Sequence, residues 1–212
     1  MLSPVFENAK YQAFLNSNER ENTVDSSIYV EFFANRTPSN ILEIGCGLGY
    51  VTLYLAQRLE GEALHFYPTD CQEDLLDELW KSIADRNLKN ITPFYSPDES
   101  HFRFDGWLPP FSDVIFSFSL IALEDPVLAV RTILPYLEKN AAIHIIDWDK
   151  DQASLRKDDE PPNRYLRPAE MLNPAKVKYF LDTAGYQLEK EYQVKGPAFA
   201  MTYVPPKSET HE

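Results

Sequence analysis

From Asn40 to Thr52 the chain reads Asn-Ile-Leu-Glu-Ile-Gly-Cys-Gly-Leu-Gly-Tyr-Val-Thr, a short apolar run entering three alternating glycines and leaving into helix-forming residues. Few architectures accept this segment. The apolar run suits a buried strand, and the glycines allow positive φ, which brings backbone N–H groups close to a ligand at a helix N-terminus. The spacing is G-x-G-x-G, whereas the dinucleotide fingerprint is G-x-G-x-x-G. Glu43 adds a carboxylate beside the loop. That charge opposes a pyrophosphate and suits a cationic ligand.

Downstream of this loop, short apolar runs ending in Gly, Asp or Ser alternate with segments of helical period, the pattern of βα units around a parallel sheet. Strands are expected at Asn40–Ile44, Ala63–Thr69, Ile91–Tyr95, Asp113–Phe118 and Ala142–Ile146. Helices are expected at Tyr50–Leu59, Gln72–Asn87, Pro126–Leu137 and Pro174–Ala184. Asp125 and Asn173 are natural N-caps for the last two, each followed by proline at the first helical position. Two aromatic and β-branched runs, Tyr186–Val194 and Ala198–Val204, flank Gly196-Pro197 and read as an antiparallel hairpin that completes a seven-stranded sheet. Before the sheet, Val5–Leu15 and Ile28–Asn35 have helical periodicity and are joined by the polar stretch Asn16–Ser27. The irregular Asp147–Pro174 segment follows the fifth strand, where α/β sheets build ligand crevices; it reads as a substrate-facing loop or a solvated connector. The tail Pro205–Glu212 is expected to be disordered.

The length of 212 residues and 44% hydrophobic content fit one domain, with residues 1–38 as a helical cap, 39–204 as the α/β core and 205–212 as the tail. No apolar run is long enough to span a membrane and the first ten residues do not resemble a secretory signal, so a cytoplasmic protein is expected. A net charge of −13 repels phosphate backbones and anionic headgroups. Nucleic acid and membrane are therefore not expected partners. Cys46 and Cys71 lack companions at metal-ligand spacing, so neither a metal site nor a disulfide framework is expected.

Asp70 closes the second strand 21 residues after Gly49, where a carboxylate can accept the hydroxyls of a ribose or cap the following helix. Taken with Glu43-Ile44-Gly45-Cys46-Gly47-Leu48-Gly49 and the strand Asp113-Val114-Ile115-Phe116-Ser117, these segments resemble class I S-adenosylmethionine-dependent methyltransferases. The resemblance runs from Pro38 to Val204, and its most specific part is the first motif. It implies an α/β fold of three layers, with a Rossmann-like, seven-stranded, mostly parallel sheet and an antiparallel C-terminal hairpin. It also implies S-adenosyl-L-methionine as cofactor, S-adenosyl-L-homocysteine as product, and a small-molecule acceptor; a homodimer is compatible with it. Carried over by position, Gly45, Cys46, Gly47 and Gly49 surround the methionine part and Glu43 orients it. Asp70 holds the ribose, Cys71 flanks the adenine, Asp98 meets its amino group, and Ser117 and Phe118 form the floor.

Two departures stand out. Relatives often carry histidine after the fourth strand, but here the sequence is Ser119-Leu120-Ile121-Ala122-Leu123-Glu124; Glu138-Lys139-Asn140-Ala141 replaces a Pro-Gly-Gly turn. For a hydroxyl acceptor the candidate bases are His101, Glu124, Asp147 and Asp149, with Asp147 best placed at the exit of the fifth strand. Trp148, Phe102, Trp107 and Tyr165 are candidate pocket walls or ordinary core. The acidic composition favours a neutral or cationic metabolite as acceptor. Two alternatives remain, a non-catalytic S-adenosylmethionine-binding protein and a protein methyltransferase.

Overall fold

The computed structural model describes residues 9–59, 64–97, 100–167 and 171–206. Its centre is a seven-stranded sheet in the order β3-β2-β1-β4-β5-β7-β6. The strands are β1 (Asn40–Ile44), β2 (His65–Asp70), β3 (Phe94–Tyr95), β4 (Phe111–Ser117), β5 (Leu137–Trp148), β6 (Gln187–Tyr192) and β7 (Ala198–Val204). The first five run parallel, whereas β7 is antiparallel to both β5 and β6. The expected sheet and hairpin are thus present.

Neighbouring residues of a central strand face opposite layers. Ile41, Phe66, Ile115 and Ile146 enter one core with Val51, Leu55, Leu79 and Ile83 of helices α4 (Tyr50–Ala56) and α5 (Glu73–Asp85). Leu42, Val114, Phe116 and Ile143 enter the other, against α6 (Pro126–Ile133) and α8 (Pro174–Thr183). Continuous apolar runs are what a strand covered on both faces requires. Local signals set the helix starts: Asp125 accepts the amide of Leu128 at 2.9 Å and Asn173 that of Ala175 at 2.9 Å, each ahead of a proline.

Several boundaries differ from the sequence expectation. The third strand shrinks to two residues, with Ile91 contributing only an isolated bridge to Phe66. The sixth helix stops at Ile133, passes through a 3₁₀ turn at Leu134–Tyr136 and yields early to a 12-residue β5. Pro135 explains the break, since it removes a donor from the helical ladder. At the N-terminus, the supposed polar connector contains a helix, α2 (Asn18–Thr23), between α1 (Ala9–Leu15) and α3 (Ser27–Glu31).

These three short helices form a cap fastened by distant segments. The indole Nε1 of Trp148 donates to the hydroxyl of Tyr11 at 2.7 Å. Phe14 stacks on Tyr165 with centroids 4.8 Å apart, and Glu19 receives Tyr165 at 2.7 Å and Arg164 at 3.1 Å. Gly196, with φ of +94°, brings the β6–β7 turn against the carbonyl of Thr23, where a Cβ would sit 2.0 Å from that oxygen. Trp148, at the end of β5, and Arg164 and Tyr165, from the segment after it, therefore clamp the cap. Helix α7 (Lys150–Ala153) starts at Asp149, which accepts the amides of Asp151 and Gln152. Among the described residues, no helix is long and apolar enough to cross a membrane.

Candidate functional site

β1, β2 and β4 end side by side, and the chain leaves each through a turn that puts polar groups at the carboxyl edge of the sheet. After β1, Gly45, Gly47 and Gly49 have φ values of +73°, +53° and +77°. Backbone there is comfortable only for residues without a Cβ. The three glycines serve different purposes. A Cβ on Gly45 would lie 2.7 Å from Cβ of Ser119, and one on Gly49 would lie 2.3 Å from Cδ1 of Leu79. Those two permit close packing, whereas a Cβ on Gly47 would meet no protein atom within 4 Å. The space at Gly47 opens into a cleft between the carboxyl edge of the sheet and the first helices.

Glu43, Gly45, Cys46 and Gly47 line the cleft from the first strand, Asp70 from the second, and Ser117 and Phe118 from the fourth. Seven of the expected positions are thus brought together. Gly49 and Cys71 are not in its wall: Gly49 packs on Leu79 and caps α4, and Cys71 hydrogen-bonds to Asp70 from the adjoining turn. Asp98 lies outside the described residues.

Asp70 is 5% exposed. Its Oδ2 accepts the Gly47 amide at 2.8 Å and its Oδ1 accepts that of Gln72 at 3.1 Å, so it braces the glycine loop and the entry to α5 together. The amides of Gly47 and Gln72 and the contacts of Cys71 already engage the about four acceptor positions of an ionised carboxylate, so a diol ligand would share oxygens with the loop brace. Burial holds the Asp70 carboxyl above its usual pKa, against these hydrogen bonds. Glu43 is similarly enclosed. A single oxygen, Oε2, accepts both the amide of Thr52 at 3.1 Å and the Thr52 hydroxyl, tying β1 to the first turn of α4. Burial raises its carboxyl to about 7, with the Thr52 hydrogen bonds and the charge of Arg20 pulling the other way.

Phe118 has a φ of +53°, a left-handed conformation costly for a bulky residue. Its ring lies 4.2 Å from that of Trp148, and its amide donates to Ile146. The strain turns the chain sharply at the end of β4 and leaves the Phe118 ring in the cleft wall.

Asp147 corrects the expectation of an accessible base. It has no exposed surface and is not part of the cleft wall. Its Oδ2 accepts the amide of Ile121 at 3.1 Å and its Oδ1 that of Trp148 at 2.8 Å. Burial pushes its carboxyl up to about 7, which suits a base, but the geometry makes it a positioning residue for the turn at Leu120–Ala122. The other candidates are no closer: Asp149 caps α7, while His101 and Glu124 are exposed outside the cleft wall. Trp148 and Tyr165 pack around Phe14, Phe102 is buried in the opposite core, and Trp107 is 55% exposed.

The sequence singled out no residue of the cleft's opposite wall. Tyr11, Gln12, Leu15, Asn16 and Arg20 of the cap face the sheet edge across the opening. Arg20 is only 3% exposed, on a helix lacking an apolar stripe. An isolated arginine amid Asn, Glu and Thr gives no sequence signal, because its partners Tyr29 and Ser117 are assembled by the fold.

No family model matches this chain, and no curated protein matches it by sequence. Solved structures do match. A SAM dependent methyltransferase from Aquifex aeolicus superposes with a TM-score of 0.75 at 22% identity, over 91% of this chain and 96% of that one. The plantazolicin methyltransferase BamL, in complex with a triazolic desmethylPZN analog and SAH, matches at 0.64 and 18% over 92% and 87% of the two chains. The [4+2]-cyclase SpnF matches at 0.67 and 15%, over 85% and 80%. At these identities the likeness establishes the fold, which is that of class I S-adenosylmethionine-dependent methyltransferases.

Proposed function

We propose that the protein is an S-adenosylmethionine-dependent methyltransferase acting on a small-molecule acceptor. The observation that carries this reading is the cleft at the ends of β1, β2 and β4, where Gly47 leaves room for a ligand between Glu43 and Asp70. The residues fit the cofactor part by part. Asp70 sets a carboxyl in the wall where the ribose would lie, Gly45 and Gly47 present backbone to the methionine arm, and Glu43 sets a carboxyl near its positive end. When bound, the cofactor supplies a methyl group already activated on a sulfonium. The chain's own part is alignment and exclusion of water, which can supply much of the rate in an in-line displacement. The neighbour with a bound plantazolicin analog and SAH supports a small organic or peptidic acceptor. The net charge of −13 supports a reading without nucleic acid or anionic membrane surfaces as partners.

A second reading, cofactor binding without methyl transfer, is favoured by the fifth strand's exit. Trp148, Phe118 and Phe14 fill that region, and both oxygens of Asp147 are occupied by backbone amides. The cyclase neighbour makes the same point at the level of fold. Calorimetric titration with S-adenosylmethionine and S-adenosylhomocysteine tests what the readings share, and absence of binding by both compounds would sink them together. If they bind, release of S-adenosylhomocysteine across fractionated metabolites separates enzyme from binder.

A further inference from the structure

Arg20 is in an unusual position for a charged side chain. Nη1 donates to the carbonyl of Leu15 at 3.3 Å, and Nη2 donates to the Tyr29 hydroxyl and to Oγ of Ser117 at 3.3 Å. The guanidinium carbon lies 4.1 Å from the ring centroid of Tyr50, 5.0 Å from that of Phe118 and 5.7 Å from that of Tyr29. Every group it touches is neutral. Among the described residues, no carboxylate comes within the 4.0 Å of an ion pair. Glu43 and Glu21 feel its charge from farther away, but Glu43 is engaged by Thr52, and Glu21 by Ser26 and Tyr50.

A guanidinium withdrawn from water without a counter-ion is costly, and a ligand that brings one to it offsets that cost. Arg20 belongs to the cleft wall, hydrogen-bonded to Ser117, which also lines it. We infer that Arg20 is the carboxylate-recognition residue of this cleft, pairing its planar fork with a carboxylate on the bound ligand. This rests on the cofactor reading above. A carboxylate fits better than a phosphate because Glu43 and Asp70 share the cleft, and one guanidinium beside two acids balances a single negative charge better than a double one. Two sources carry that group, the amino-acid arm of the cofactor and an acid function on the acceptor.

Full-length wild type, Arg20→Met and Arg20→Lys are titrated with S-adenosylhomocysteine and with methylthioadenosine, which keeps the adenosine and thioether but lacks the amino-acid arm. Benzoate is then titrated into each protein saturated with S-adenosylhomocysteine. The expected result is a loss of about 10- to 100-fold in S-adenosylhomocysteine affinity for Arg20→Met, with methylthioadenosine unchanged; this assigns the carboxylate to the cofactor. Unchanged S-adenosylhomocysteine with benzoate binding lost assigns it to the acceptor. Arg20→Lys keeps the charge without the fork and should fall between, and it decides the matter if Arg20→Met does not fold. A folded variant that binds all three compounds as wild type does, or loses S-adenosylhomocysteine and methylthioadenosine equally, overturns the inference. Wild type that binds neither nucleoside refutes the cofactor reading instead.

Discussion

Glu43 places a carboxyl that ordinarily titrates at 4.5 in an environment where burial raises it to about 7. The folded protein therefore keeps a proton that the unfolded chain releases above pH 4.5. Stability from this group is complete below about pH 4.5, falls as pH rises towards 7, and is level above it. The slope between those values is about 1.4 kcal/mol per pH unit, so the whole loss is about 3 kcal/mol. At 3% exposure, water screens little of it. Glu43→Gln removes the ionisation and keeps the geometry, because both Thr52 hydrogen bonds fall on a single oxygen that the amide oxygen can replace. Urea unfolding followed by tryptophan fluorescence at pH 4.5, 6 and 8 measures the difference between variant and wild type. That difference should grow in the variant's favour by about 3 kcal/mol from the lowest pH to the highest. A gap that stays constant, or moves the other way, would refute the claim that Glu43 is held protonated by burial.

The two kinds of loop glycine should separate under substitution. Gly49→Ala combines left-handed strain with a 2.3 Å approach to Leu79 and should lose about 2–4 kcal/mol of stability by calorimetry. Gly47→Ala, with open space around the new methyl, should lose only about 1 kcal/mol of stability. It should nevertheless weaken S-adenosylhomocysteine binding by about tenfold or more, equivalent to about 1.4 kcal/mol. Replacing Asp70 with Ala should weaken the same ligand by about 1–3 kcal/mol in titration, and an unchanged affinity would leave Asp70 with the loop brace alone. At the other end of the sheet, Asp113 is 1% exposed and receives Arg36 at 2.7 Å and His144 at 3.0 Å. Asp113→Ala leaves Arg36 with the Asn140 carbonyl and Glu189, and His144 with Thr202 alone, and should cost about 1–3 kcal/mol in urea unfolding.

What could be read from the sequence was the part that is local. The glycine loop, the capped starts of α6 and α8, and the acid ending β2 are specified by neighbours a few residues away, so pattern and position suffice. The shortened β3 and lengthened β5 were not legible, because pairing with β2, β4 and β7 decides where a strand ends. Asp147 shows the same limit more sharply. Its place at a strand exit matched an accessible base, but amides from its neighbour Trp148 and from Ile121, 26 positions earlier, occupy it. Arg20 depends on Ser117, 97 positions away, and lies in a stretch whose composition reads as linker.

That arginine also changes the inference drawn from net charge. A total of −13 governs encounter at long range, where it repels polyanions and draws in cations. It does not decide which groups dock, because interactions inside a cleft are shorter than the screening length and are set by local ionisation. Here burial raises the pKa of both acids in the cleft, Glu43 as far as about 7. Arg20 adds a guanidinium to the same wall. The cleft is consequently less negative than the net charge suggests, with a buried guanidinium at its wall. Net charge therefore sets the long-range field that a ligand crosses and leaves the charge of the docked ligand to these local groups.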